Sequence, residues 1–356
     1  MSAEANEENR GIPMTEDHNL ELLLVHCEGE IGKVILGGAP EIPGSTILEK
    51  MNYINQVDDS LRRFVTTEPR AHAAMCVNLV LPPVREDADA AFIVFDAARA
   101  HPMSGSNCIC VVTALLETGK VKMFEPETIV RLDTAAGLVV ARAKCSNGRC
   151  ISVSLDNVPA FAVDLAKPVL TGKWGTIHAD IAFGGLFYAL VDVAQIGLKI
   201  DTNNARALAE AGIELHAIIT EQVRVSHPDI PGLNQIAFVM FRDIASDGAV
   251  LTCTTLRPGR VDRSPCGTGS SANLATLYAR NQISVGDRRV SRSVTGGEFV
   301  VEAISEKTVG TYKAIVPRIA GRAFVYGRET LFMIKSDPFG RGFRLSDTWG
   351  PQVSAL

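Results

Sequence analysis

The chain has 356 residues, 46% of them hydrophobic and 21% charged, with a formal net charge of -5. That length implies two domains or one elaborate one, and the composition is that of a globular chain, not a disordered one. The negative balance argues against nucleic acid or an anionic membrane as the main partner, which leaves small molecules or other proteins.

The opening residues, MSAEANEENRGIPMTEDHN, are polar and acid-rich and contain no apolar run, so residues 1–18 read as a disordered leader and not as a signal peptide. No later stretch approaches the roughly 18 uninterrupted apolar residues needed to cross a bilayer. Eight cysteines are scattered, mostly in apolar contexts, as reduced thiols would be. A cytoplasmic location is the expectation.

Short β-type runs dominate the rest of the chain. LELLLVHC and GKVILGG lead to a helix over Ser45 to Val57, with Ser45 or Thr46 as its N-cap. CVNLVLPP and AFIVFDAA precede the loop HPMSGSN, from which a helix runs over Asn107 to Glu117 and stops at Gly119. TIVRL, GLVVARAK and ISVSL come next, the last two joined by an Asn147-Gly148 turn. A helix from Ala205 through Ala211 toward His216 and the strand IAFVMF lead to DRSPCGTGSS, after which a helix spans Ser270 to Arg280. EFVVEAI and TYKAIVP are further strands. Many strands with widely spaced helices predict an α+β fold, not a βαβ wind, and no dinucleotide fingerprint is present.

The two catalytic-looking loops share a layout. HPMSGSNCICVVTALLETGKV and SPCGTGSSANLATLYARNQI each run from a proline through small residues into an apolar helix. About 30 residues after Ser104 comes DTAAGLVVARA, and SVTGGEFVVEAI follows Cys266 at a similar distance. A period this long predicts two related lobes, each built around one helix, rather than a solenoid.

Cys266 lies where a helix begins. A helix N-terminus offers unpaired N–H groups and the positive end of a dipole, which bind anions and lower a thiol pKa from its free value of about 8.5. Gly267, Thr268 and Gly269 leave backbone N–H groups uncovered for a carboxylate, and Asp262 is placed to hold a cationic nitrogen. The competing reading is an inert buried cysteine in a turn. If the lobes are related, Ser104 is the counterpart of Cys266, and two helix N-termini face one ligand across a cleft. That arrangement suits an amino-acid carboxylate and the enolate-like charge that grows on it when the α-proton leaves. A base on one face and an acid on the other then complete a cofactor-free proton transfer. Ser106 and Asn107 line the first loop as ligand donors, or serve only as N-caps.

Other chemistries fit less well. A cysteine hydrolase needs a histidine beside Cys266, and none of the histidines sits in a context that marks it as a base, His101 being the best placed. Cys108 and Cys110 are too close together on an apolar helix to form a metal-ligand pair, and Cys145 and Cys150 flank a hairpin turn, so no metal is expected. Leu256, Phe183 and Phe238 are either pocket walls or core.

DRSPCGTGSSA closely resembles the second catalytic motif of the proline racemase family, which includes hydroxyproline epimerases and trans-3-hydroxyproline dehydratases. MSGSN stands where that family usually carries Met-Cys-Gly-His. HCEGEIGKVI, PRAHAAM, DNVPAF, AFGGLFYALVD and VPRIAGRAFVYG extend the resemblance over nearly all of the chain after the leader. It implies a fold like diaminopimelate epimerase: two lobes of strands wrapped around a central helix, with the active site in the cleft between them. An N-terminal lobe over 19–160 would carry MSGSN and be completed by 326–356, and a C-terminal lobe over 161–325 would carry DRSPCGTG. The resemblance also implies no metal or other cofactor and a proline-like amino acid as substrate, with a homodimer as the assembly. By position, Cys266 and Ser104 become the two acid/base groups. Gly105, Ser106, Gly267 and Thr268 would bind the carboxylate, and Asp262 the ring nitrogen.

The departures from the pattern bear on the reaction. Serine replaces the usual first cysteine at 104, and Ser106 the usual histidine, so a symmetric racemase with two matched thiols is disfavoured. One thiolate alone can take an α-proton, and a hydroxyl on C3 can then leave with no second base. The pairing therefore favours dehydration of trans-3-hydroxy-L-proline to Δ1-pyrroline-2-carboxylate, with 4-hydroxyproline 2-epimerase or proline racemase activity as the alternative. A non-catalytic relative that only binds hydroxyproline is the remaining reading.

Overall fold

The computed structural model describes residues 19–349, so the acidic leader and the last seven residues lie outside the described residues. β1 (Asn19–Cys27) and β2 (Glu30–Gly37) form a hairpin, after which α1 (Ile47–Gln56) and α2 (Ser60–Thr66) lead to β3 (Met75–Leu81), β4 (Ala90–Phe95) and β5 (Ala100–His101). Then come α3 (Gly105–Glu117), β6 (Glu127–Thr134), β7 (Gly137–Ser146) and β8 (Arg149–Asp156). The second half comprises β9 (Ala160–Thr171), β10 (Gly175–Phe183), β11 (Phe187–Asp192), α4 (Ala205–Gln222), β12 (Ile236–Ile244), β13 (Val250–Leu256) and β14 (Arg260–Val261). It ends with α5 (Gly267–Ala279), β15 (Arg288–Ser293), β16 (Glu298–Val309), β17 (Tyr312–Gly321) and β18 (Ala323–Phe332).

Strand pairing shows that the two halves repeat one topology. β1–β2 is antiparallel, β2–β3 parallel, β3–β4 and β4–β5 antiparallel, β4–β6 parallel, and β6–β7 and β7–β8 antiparallel. The same sequence of pairings runs from β10–β11 through β11–β12, β12–β13, β13–β14, β13–β15 and β15–β16 to β16–β17. β18 lies antiparallel on β1 as β9 lies on β10. β17 also pairs with β8 and β9, sewing the halves together. Each parallel step needs a crossover, and helices supply it: α1 and α2 or α4 for the first, α3 or α5 for the second.

Helices α3 and α5 therefore hold equivalent places, each wrapped by strands. Residues Cys108 to Leu116 of α3 are buried all round, which a helix apolar on every face requires. α5 is built of Gly, Ser and Ala in its first turns, so backbone comes unusually close to it. A side chain at Gly184, in the β10–β11 turn, would overlap Thr268 O and Ala272 N. Leu274 and Ala275 of α5 share one apolar core with α3. The helix after 205 runs to Gln222, beyond the expected end near His216, because Leu208, Ala211, Leu215 and Ile219 keep one apolar stripe facing the sheet. Among the described residues no helix is long and apolar enough to cross a membrane.

Candidate active site

Helix α1 begins conventionally: the Thr46 hydroxyl accepts the Glu49 N–H at 3.1 Å. Helices α3 and α5 do not. Ser104 and Cys266 are their N-cap residues, and neither side chain makes a cap hydrogen bond. The N-cap side chains thus leave the backbone N–H groups of Gly105, Ser106, Gly267 and Thr268 uncapped. At Gly105 an added side chain would meet nothing within 4 Å, so this helix end has open space beside it.

At the α5 end, Cys266 takes φ 62° and ψ 101°, a left-handed conformation that costs a non-glycine residue about 1–3 kcal/mol. The turn is held from Asp262, whose Oδ1 accepts the Ser264 N–H at 2.8 Å and the Ser264 hydroxyl at 2.9 Å. Ser264 Oγ in turn accepts the Cys266 N–H at 3.2 Å. The sulfur lies 3.4 Å from the Tyr188 hydroxyl and 4.0 Å from Thr268 Oγ1, and those two oxygens are 2.6 Å apart. Met240, Ala182, Leu190 and Ala272 complete an apolar surround. Burial first, then the Asp262 charge, pushes the thiol up to about 11, while the hydroxyls of Thr254 and Tyr188 and the Gly269 N–H draw it down. A thiol already lowered by the helix terminus is the expectation from sequence; in the folded protein desolvation outweighs that terminus.

Asp262 is itself buried and held well above the usual carboxylate range, by desolvation and by the neighbouring Glu30 charge, against the opposing pull of Arg260 and Ser264. Glu30 bridges the halves: its Oε1 accepts from Arg260 Nη1 at 2.9 Å and its Oε2 from the Arg263 N–H at 2.8 Å. Glu30 belongs to the HCEGEIG segment at the start of the chain. An acid from the first half thus anchors the loop that carries the thiol of the second.

At the α3 end, Ser104 Oγ accepts from Asn107 Nδ2 at 3.0 Å and lies 3.4 Å from Ser106 Oγ. Asn107 Oδ1 accepts from Asn78 Nδ2 at 2.9 Å. The structure thus brings Ser104, Ser106 and Asn107 together at one helix end, and Asp262, Cys266, Gly267 and Thr268 at the other. Ser104 and Cys266 thus hold matching N-cap positions on equivalent helices, in surroundings that differ.

The proline racemase family profile matches residues 22–344. The chain belongs to the proline racemase family. It is 51% identical over 339 residues, 95% of this chain and 98% of the relative, to the 4-hydroxyproline 2-epimerase of Agrobacterium fabrum. It is 52% identical over 334 residues, 93% of this chain and 97% of the relative, to 4-hydroxyproline 2-epimerase 1 of Rhizobium rhizogenes. Among solved structures, the hydroxyproline epimerase of Agrobacterium vitis with bound trans-4-hydroxy-L-proline is 51% identical and superposes with a TM-score of 0.87, covering 96% of this chain and all of that one (100%). A PhzF-family phenazine biosynthesis protein of Bacillus anthracis, 13% identical with a TM-score of 0.58 over 88% of this chain and 99% of its own, shares the two-lobed fold. By family this chain is an amino-acid racemase or epimerase.

This proline racemase family member has a cavity of about 580 Å³ lined from both halves, by Asp96, Arg99 and His101 on one side and Phe238, Leu256 and Arg260 on the other. Phe238 and Leu256 line this cavity, whereas Phe183 is core, its ring 5.2 Å from Phe161 and 5.1 Å from Phe187. His101 bonds Asp96 Oδ2 at 2.7 Å, and His216 bonds the Ile236 carbonyl oxygen at 2.8 Å. Among the described residues the groups that hydrogen-bond the Cys266 sulfur are Tyr188, Thr268, Thr254 and the Gly269 N–H, so the cysteine–histidine pair of a hydrolase is not formed. Cys145 and Cys150 face each other across the β7–β8 hairpin, and all eight cysteines are free and buried. Sequence reasoning misses Tyr188, Ser264, Glu30 and Asn78. Tyr188 and Asn78 lie inside buried strands, where period-2 patterning says only "inward"; Ser264 lies within DRSPCGTG, where nothing marks it out from the other small residues.

Proposed function

We propose that this protein is a 4-hydroxyproline 2-epimerase, inverting C2 of trans-4-hydroxy-L-proline with its own side chains alone. What carries this reading is about 50% identity, over 95% of the chain, to proteins of that name. The structure of one such relative holds trans-4-hydroxy-L-proline.

The site chemistry supports it. The substrate carboxylate sits over the N–H groups of Gly105, Ser106, Gly267 and Thr268, which stabilise negative charge as it spreads from Cα into the carboxylate. The cationic ring nitrogen approaches Asp262, and its positive charge favours both the Asp262 carboxylate and the Cys266 thiolate. In one direction the Cα–H bond breaks and its proton passes to Cys266 Sγ. A new Cα–H bond then forms on the opposite face with the proton of the Ser104 hydroxyl. No redox step occurs and no group leaves; in the reverse direction the two residues exchange roles.

Dehydration of trans-3-hydroxy-L-proline is the weaker reading. The sequence favours it because serine is too weak an acid to serve the second face. The Asn107 amide, donating to Ser104 Oγ at 3.0 Å, stabilises the oxygen left when that proton departs, which weakens the reason for preferring a one-base reaction.

The test is incubation with trans-4-hydroxy-L-proline, trans-3-hydroxy-L-proline and L-proline, separately, in deuterated water. The expected outcome is inversion of the 4-hydroxy substrate with one α-deuterium in the product. Ketimine formed from the 3-hydroxy substrate, with no inversion of 4-hydroxyproline, would overturn the reading.

A further inference from the structure

We infer that Asn78, a buried residue of β3, is a positioning residue that sets the hydrogen-bond polarity of Ser104 and makes it a proton donor. This rests on the two-sided epimerase reading above. The polarity follows from one fixed point. The Lys33 backbone oxygen, which can only accept, lies 3.3 Å from a terminal atom of the Asn78 amide, so that atom is Nδ2. The same NH₂ group is 2.9 Å from the Asn107 side chain, which must therefore present Oδ1. Asn107 Nδ2 is then turned to Ser104, 3.0 Å away, and Ser104 Oγ is the acceptor of that bond. With a lone pair so occupied, the Ser104 O–H is left to point elsewhere, and the alkoxide formed by its loss keeps a charge-assisted donor.

Two features set this arrangement apart from ordinary core packing. Asn78 is fully buried, and its own Oδ1 has no hydrogen-bond partner among the described residues. The amide therefore leaves its own acceptor stranded, at a cost in stability, while its NH₂ group serves Asn107 Oδ1 and the Lys33 carbonyl. The repeat supplies the second feature. Gly32 pairs with Cys76 and Val34 with Asn78, as Tyr188 pairs with Phe238 and Leu190 with Met240. Gly32 and Asn78 thus stand where the other half has Tyr188 and Met240, and both pairs pack on the third helix residue after the N-cap. There the α5 side has Gly269, at which an added side chain would meet Met240, Cys266 Sγ and Tyr188. The α3 side has Asn107, and a side chain at Gly32 would meet Asn107 Oδ1 at 2.8 Å, Cys110 Sγ at 3.0 Å and Asn78 Nδ2 at 3.1 Å. The thiol half is thus lined with bulk, and the hydroxyl half with amides in the space so freed.

The experiment uses the full-length enzyme and 4-hydroxyproline as either C2 epimer in deuterated water. Asn78→Leu should lower kcat for inversion by roughly ten- to a hundredfold, with KM little changed, as loss of assisted acid/base catalysis requires. Exchange of the α-hydrogen in the epimer that presents it to Cys266 should persist, so the ratio of exchange to inversion rises. Ser104→Cys placed in the Asn78→Leu background should restore inversion, because a thiol is acidic enough to act without the amide. Asn78→Val, suited to a strand, replaces Asn78→Leu should leucine not fold. If Asn78→Leu or Asn78→Val lowers exchange and inversion together, or Ser104→Cys does not restore inversion, the inference is overturned. If Ser104→Ala alone inverts 4-hydroxyproline normally, it is the two-sided reading that fails. An inactive Ser104→Ala beside a fully active Asn78→Leu sinks the role of Asn78 alone.

Discussion

At the start of α5, Tyr188 and Met240 press on Gly269 and enclose Cys266 in an apolar pocket; at the start of α3, Gly32 leaves room for the Asn107 and Asn78 amides beside Ser104. The scaffold is the same on both sides, and the linings differ in kind. A thiol is by nature the stronger acid, and its pocket moves it upward, to about 11. An alcohol is by nature the weaker acid, and a donated amide hydrogen moves it down. The two surroundings therefore act in opposite directions and narrow the gap between two unlike groups. On the epimerase reading proposed above, this suits a reversible inversion, in which each residue gives up in one direction the proton it takes in the other.

The sharpest way to break the comparison is to remove each group in turn. Cys266→Ala should lose inversion by on the order of 10⁴-fold, together with α-proton exchange from the epimer that faces Cys266. Ser104→Ala should lose inversion by roughly 10²- to 10⁴-fold while the epimer facing Cys266 still exchanges its α-hydrogen. Following deuterium uptake and optical rotation together separates the two. Equal loss of exchange and inversion in both variants would mean that the helix ends do not work as opposed, separable groups.

A smaller effect sharpens the thiol side. Tyr188 donates to, or accepts from, the sulfur at 3.4 Å and is among the groups that lower its pKa against burial. Tyr188→Phe should raise the thiol further, slow alkylation of Cys266 at pH 8 and lower kcat/KM by about tenfold. The parent itself should alkylate more slowly than a free thiol, and a planar pyrrole carboxylate seated over the helix ends should protect it further. Faster alkylation in Tyr188→Phe would show that Tyr188 merely shields the sulfur.

Much of this site is legible in the sequence, because its parts are local: a proline, a small-residue turn and an apolar helix lie within a dozen residues in each half. Repetition of that layout announces the two-lobed fold and pairs Ser104 with Cys266 before any strand is placed. What cannot be read is what arrives through sheet register. Gly32, Asn78 and Tyr188 sit in strands remote from either loop, and their facing partners depend on which residues of β2 and β3, or β11 and β12, lie opposite each other. The sign of the Cys266 shift is hidden for the same reason. A helix terminus is visible in a sequence, but the desolvation that outweighs it comes from Tyr188, Met240 and Leu190, which the fold delivers from elsewhere.

The last predicted effect concerns Asp262 and is one of stability. Its carboxyl is raised to about 7, by burial first and then by Glu30. The folded protein thus holds this proton more tightly than the unfolded chain, where the group titrates near its ordinary value of about 3.9. The stability this contributes is fully present below that ordinary value and is lost as pH rises toward 7, so above neutrality the ionised, buried carboxylate is a net burden. Asp262→Asn keeps an acceptor for Ser264 and removes the repulsion from Glu30. At pH 8 it should therefore be more stable than the parent, by on the order of 2 kcal/mol or a few degrees in Tm, and the gap should close on acidification to about pH 4. The same change removes a charge that raises Cys266, so alkylation should quicken even as turnover falls for want of an anchor for the ring nitrogen. A stabilisation that stays constant between pH 4 and pH 8, or a variant less stable than the parent at pH 8, would refute a charge kept at the expense of stability for its use at the α5 end.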